Sequence, residues 1–181
     1  EVSRLGKEID KLRNELFYFI QEIEEENVIA SHFYISLISI LEDMAQSLEY
    51  ITKASYKHVN NNHRQLKYSQ IKELKETQAD LEGLLSDVRF AFDIGGYEAL
   101  ATFTDKKDEL FANIDEKINQ QVQRTRSKEE KSPKNTTLFF GLMVETKDLI
   151  VAPINLIEHY HLHYDPTVAP KKLGNGQKKD K

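Results

Sequence analysis

The sequence predicts an all-α protein, an up-and-down bundle of about five long helices over residues 1–164, on two observations. No proline occurs before Pro133 and no glycine between Gly6 and Gly83, so neither residue that commonly breaks helices interrupts the first half of the chain. Apolar residues recur at steps of three and four, which puts them on one face of a helix, and no alternation long enough for a strand competes. The average step of 3.5 fits helices packed nearly parallel.

The first helix carries Leu5, Ile9, Leu12, Leu16, Phe19 and Ile23. It is expected to end at "EEEN", residues 24–27, where carboxylates oppose the negative end of the helix dipole. The second carries Ala30, Tyr34, Leu37, Leu41, Met44, Leu48 and Ile51 and ends at the asparagines of "KHVNNNHRQL", residues 57–66, because asparagine tolerates the left-handed conformation that closes many helices. Ser69 is the expected N-cap of the third helix. Its stripe is Ile71, Leu74, Leu81, Leu85, Val88 and Phe92, with Gln78 at the missing step, and Gly95 and Gly96 end it. The fourth runs to about Arg126 on Leu100, Phe103, Leu110, Ile114, Ile118 and Val122. "RSKEEKSPKN" follows, the most polar interior segment and the expected mobile loop. The last helix spans roughly Asn135 to Tyr164, with Pro153 inside it as an expected kink.

At 181 residues the chain is long enough for one domain with a core. The absence of cysteine excludes a disulfide scaffold and any thiolate metal site. No apolar run reaches the roughly 18 residues of a membrane span, and the N-terminal segment has no apolar signal core. Net charge is −5, unevenly spread: residues 165–181 carry five lysines against Asp165 and Asp180, a balance of +3, which leaves −8 on residues 1–164. So acidic a body repels phosphate backbones, and nucleic-acid binding is not expected. The basic tail, with Pro166, Pro170, Gly174 and Gly176, is expected to be disordered, and its lysines are candidates for contact with anionic lipid.

Three constellations invite a chemical reading. His58 and His63 are five residues apart across an expected helix end, a spacing that suits a terminus rather than a metal. In "IEHYHLHY", residues 157–164, His159 and His163 share a face and Glu158 with His161 makes one Glu-x-x-His step; di-iron bundles need two, plus further glutamates. Carboxylates form the third: Glu42 and Glu49 lie with Gln46 on one face of the second helix, and Glu145, Asp148, Asn155 and His159 form a polar strip on the last. Flanked by apolar residues on both sides, that strip is a candidate for burial against a neighbour, although an exposed or salt-bridged strip is the plainer reading. Glu42, Glu49, Glu145, Asp148 and His159 are thus the weak metal candidates, and no metal, cofactor or catalytic residue is predicted. No nucleophile elbow, phosphate-binding loop, dinucleotide glycine motif or HExxH occurs.

Two segments carry a resemblance. "HFYISLISILEDMAQSLEYITKASYKHVNNNHRQL", residues 32–66, and "SPKNTTLFFGLMVETKDLIVAPINLIEHY", residues 132–160, are similar to the PhoU-like cytoplasmic domain of bacterial inorganic phosphate transporters of the PiT type, particularly the Bacteroidetes kind. Together they cover about a third of the chain. The resemblance implies a regulatory, non-enzymatic domain on the cytoplasmic face of the inner membrane, following a permease in the same polypeptide, with a homodimer as a further partner. Glu1 in place of methionine fits an excised piece of something longer. PhoU proteins hold metals through an acidic Glu/Asp-x-x-x-Asp pattern, from which this sequence departs: Gln46 stands four residues after Glu42, and Asp148 comes one position early after Glu145. The expected contacts with the permease are Phe140, Val144 and Val151, taken as exposed, with Asn61 and His63 in the helix-ending loop. The alternatives are a metal-binding helical bundle, an enzyme or a store, on Glu42, Glu145, Asp148 and the terminal histidines, and a stand-alone helical adaptor.

Overall fold

A computed structural model describes residues 1–22, 28–97 and 100–163. These form five helices and, among the described residues, no strand: α1 (Val2–Glu22), α2 (Val28–Asn60), α3 (Tyr68–Ile94), α4 (Leu100–Arg126) and α5 (Pro133–His163). The expected end of the first helix at 24–27 and the basic tail lie outside the described residues.

α5 is the axis. It is apolar around most of its circumference, and such a helix must be enclosed. α2, α3 and α4 all pack on it, α2 most extensively, while α1 packs chiefly on α2. The main core lies where α3, α4 and α5 meet, on Leu84, Val88, Phe103, Leu110, Ile114, Phe139, Met143, Ile150, Ile154 and Ile157. α5 runs unbroken through the buried Pro153.

Local chemistry sets the boundaries. His63 N–H donates to His58 O at 3.3 Å around Asn62, which sits at φ 50°; asparagine supplies the left-handed residue that closes α2. Gly95, at φ 67°, closes α3, and Gly96 N–H donates to Ala91 O at 2.9 Å. α3 begins at Tyr68, with Lys67 rather than Ser69 as its N-cap, because the Gln70 side chain accepts from Lys67 N–H at 2.8 Å and so satisfies a donor two residues earlier. Ser132 caps α5: its Oγ accepts from Asn135 N–H at 3.2 Å, and Pro133 occupies the first helical position, where its missing N–H costs nothing.

Two expectations change. The polar segment between α4 and α5 is mostly exposed but is tied down at several points. Glu130 is buried and accepts from Ser132 N–H at 2.7 Å, Lys67 Nζ donates to Glu129 O, and Asn135 Nδ2 donates to Gln65 O at 2.9 Å. Its polarity serves these bonds. On α3 the buried face is Gln70, Glu73, Thr77, Leu84, Val88 and Ala91, whereas Ile71 and Leu85 from the apolar stripe are exposed. The helix is turned by about one residue so that Glu73 meets Arg124 through two 2.7 Å bonds. Arg124 also donates to Gln121 and lies over the Phe139 ring, and Gln121 donates to Thr136, so the network ties α3 and α4 to α5.

The Glu73 and Arg124 side chains are only 11% and 15% exposed, and removing one partner of such a pair strands the other. Glu73→Ala is therefore expected to lower stability to urea by about 3 kcal/mol, while Glu73→Leu combined with Arg124→Met loses much less.

Candidate functional site

The site that the fold builds is a groove of about 500 Å³ between α2 and α5. The helices run antiparallel, so Phe33 on α2 meets His159 on α5, and Tyr50 lies at the level of Gly141. Asp43 from α2 and Glu145 and Asp148 from α5 bring three carboxylates to it, and no lysine, arginine or histidine lines it. None of the three is in an ion pair among the described residues. Ser47, a buried residue, also lines the groove. Gln46, Tyr50 and Asn155 add amide and phenol groups.

A second cavity, between α1 and α2, shares Gln46 and holds Glu42 and Glu49. There the charges are compensated. Arg13 donates to Glu42 through Nε at 2.7 Å and through Nη2, and Lys53 lies 2.7 Å from Glu49. The hydrogen bond to Glu42, and then its charge, raise the Arg13 pKa above its ordinary value. A third, between α3 and α4, mixes Lys72 and Lys117 with Glu73, Glu76, Asp80 and Glu116.

The weak metal candidates therefore fall in three places. Glu42 and Glu49 face α1, Glu145 and Asp148 face the α2–α5 groove, and His159 sits at the far end of α5, stacked on Phe33 at 4.7 Å with Nε2 2.9 Å from Phe33 O. Among the described residues no three His, Cys, Asp or Glu side chains gather to hold an ion. The donors present do not form the set that the Glu/Asp-x-x-x-Asp pattern supplies elsewhere, since Gln46 contributes no charge and Glu42 is bound to Arg13.

Of the expected contact residues, Val144 is exposed at 51%, but Phe140 is half-buried against the core and Val151 is half-buried in the groove wall. Both were taken as exposed because the sequence does not reveal that α5 is enclosed on three sides. Asn61 is exposed at the end of α2; His63 is half-buried, its ring 5.2 Å from that of His58, which is buried with Nε2 3.0 Å from Arg64 O. The sequence reading missed Asp43, Ser47 and Tyr50. Their signal was their steps of three and four along α2, opposite the polar strip of α5.

The fold and groove define a class, an all-α bundle with an acidic cleft along its central helix pair. Beyond that class no family model, curated protein or solved structure matches the chain.

At Gly141, α5 lies in close contact with Tyr50 of α2. A Cβ there would lie 2.9 Å from the Tyr50 hydroxyl, the free end of a side chain that is 47% exposed. Gly141→Ala should therefore displace Tyr50 at little cost and gain helix propensity, raising stability by up to about 1 kcal/mol in thermal unfolding. A loss of stability would show that the Tyr50 contact holds the two helices together.

Proposed function

We propose that this chain is a non-enzymatic regulatory domain that works through protein contacts, as the PhoU-like cytoplasmic domain of an inorganic phosphate transporter. One observation carries the reading. The two segments that resemble that family, 32–66 and 132–160, are far apart in sequence, yet they form α2 and α5, the pair with the largest interface, and supply every residue lining the groove between them. The part of the chain that is similar to the family is thus a contiguous surface and not two unrelated stretches. No helix among the described residues is long and apolar enough to cross a membrane, so in this reading the spanning segments belong to the permease portion of the same polypeptide, and the bundle lies at its cytoplasmic face. Phosphate uptake is then controlled by how the α2–α5 face engages the permease.

The test begins with the coding sequence upstream of Glu1. The reading expects apolar segments of about 20 residues each in the same frame; their absence leaves a free-standing helical adaptor. With the permease portion in hand, Val144→Asp is expected to weaken its association with the bundle at least about tenfold, that is by about 1.4 kcal/mol. The helical spectrum and melting temperature should stay unchanged, since Val144 lies outside the core. Association at full strength would remove this face from the contact.

A further inference from the structure

His58 and His63 are five residues apart, a step that sets side chains about 140° apart on a continuous α-helix. The end of α2 brings them together instead. Asn62 turns the chain at φ 50°, its N–H donates to Val59 O at 3.0 Å, and His63 N–H returns to His58 O at 3.3 Å. Such a closure sets a residue just beyond the helix against the last turn, commonly through an apolar contact. Here both members of that contact are imidazoles, with ring centroids 5.2 Å apart.

Two details make the pair a ligand set. His58 is buried, and its Nε2 lies 3.0 Å from Arg64 O. A carbonyl oxygen only accepts, so Nε2 carries the proton and Nδ1 of the neutral ring keeps its lone pair. Metal-binding histidines are oriented in this way, with the other ring nitrogen donating to a group such as a backbone carbonyl. The spacing of the rings fits as well. An ion about 2.0–2.1 Å from one nitrogen of each ring, at a tetrahedral angle, holds the two centroids about 5 Å apart.

We propose that His58 Nδ1 and one ring nitrogen of His63 bind a single zinc or copper(II) ion at the end of α2. Imidazole suits these ions, whereas magnesium and calcium favour oxygen ligands. The helix end contributes too, since its last carbonyls carry partial negative charge. Lys57 and Arg64 adjoin the two histidines in sequence, but both are exposed and their repulsion is screened. No third His, Cys, Asp or Glu joins the pair among the described residues, so water completes the coordination. Those positions are open to exchange for a carboxylate or imidazole of another molecule. The rings of His159 and His163 also lie 5.1 Å apart, but His163 is exposed, whereas His63 is half-buried and bonded back to His58. The bound ion fastens the turn at residues 61–63 to the helix. This inference does not rest on the transporter reading, because it concerns the chain's own histidines.

The imidazole nitrogen spectrum of the isotope-labelled 181-residue chain, titrated with zinc chloride at neutral pH, tests it. Before metal is added, His58 is expected as the Nε2–H tautomer. Zinc is expected to shift His58 Nδ1, one nitrogen of His63 and the amides of residues 58–63, saturating at one ion per chain. Magnesium is expected to shift none of them. His63→Ala, whose helical spectrum should match that of the parent, is expected to weaken zinc binding at least about tenfold, while His163→Ala leaves it unchanged. An Nδ1–H tautomer at His58, zinc shifts confined to His159 and His163, or undiminished affinity in His63→Ala would each overturn the proposal. So would shifts that never saturate, which mark an adventitious ion only. The tautomer and the zinc shifts are read on the unaltered chain, so they decide the matter even where a substitution disturbs the turn.

Discussion

The enclosure of α5 is the constraint on which the rest of the structure depends. A helix that is apolar on nearly every side cannot stop at one partner, and α2, α3 and α4 each bury a different part of it. The other helices can afford weaker mutual contacts. α3 and α4 meet only lightly and leave a charged cleft between them, and α1 is held chiefly by α2. Phe139, Met143, Ile150 and Ile157 are all at or near zero exposure, and burial of such side chains favours the fold.

The two ends of the bundle are fixed by different physics. Where α5 begins, the joints are polar: the Glu73–Arg124 pair, the Gln121 and Thr136 bond, and Asn135 reaching the carbonyl of Gln65. These bonds are directional, so they set the rotation of α3 and the entry of α5, at the cost of two buried atoms, Gln70 Nε2 and Glu130 Oε2, without a partner among the described residues. Where α5 finishes, the joints are aromatic. Phe33 stacks on His159 and meets Tyr34 and Tyr160 edge-on, and Phe92 and Tyr97 pack on Tyr160 from the other side. His159 is consumed in that cluster, which is why it contributes nothing to the groove further down the same helix.

What the sequence made legible follows this division. The ends of α2 and α3 could be read because they stop on Asn62 and Gly95, whose preferences are local; the start of α5 was placed two residues late, because Ser132 and Pro133 were read as part of the polar loop. The pairing of α2 with α5 was not legible, and the polar strip of α5, read as exposed or half-buried, is mixed: Glu145 and His159 are half-buried, Asp148 and Asn155 exposed. The face of α3 was not legible. Its inward positions near the start of α5 are Gln70, Glu73 and Thr77, and a pattern search ranks polar residues outside, whereas a bidentate arginine reverses that order. The partition of the carboxylates was hidden for a similar reason. Glu42 and Asp43 are adjacent, but one turns to Arg13 on α1 and the other to α5, and only the positions of the neighbouring helices decide which negative charge is neutralised.

That partition has a mechanical consequence. Asp43 on one side and Glu145 and Asp148 on the other place like charges across the interface on which α5, and hence the bundle, relies most. Between α3 and α4, by contrast, Glu73, Glu76, Asp80 and Glu116 share their cleft with Lys72 and Lys117. Negative charge brought to the α2–α5 groove adds to the repulsion across it. Because α1 reaches the rest of the bundle chiefly through α2, a small change in the α2–α5 fit moves α1 with it. A ligand shifts the fit of two helices only by its difference in affinity for the two arrangements.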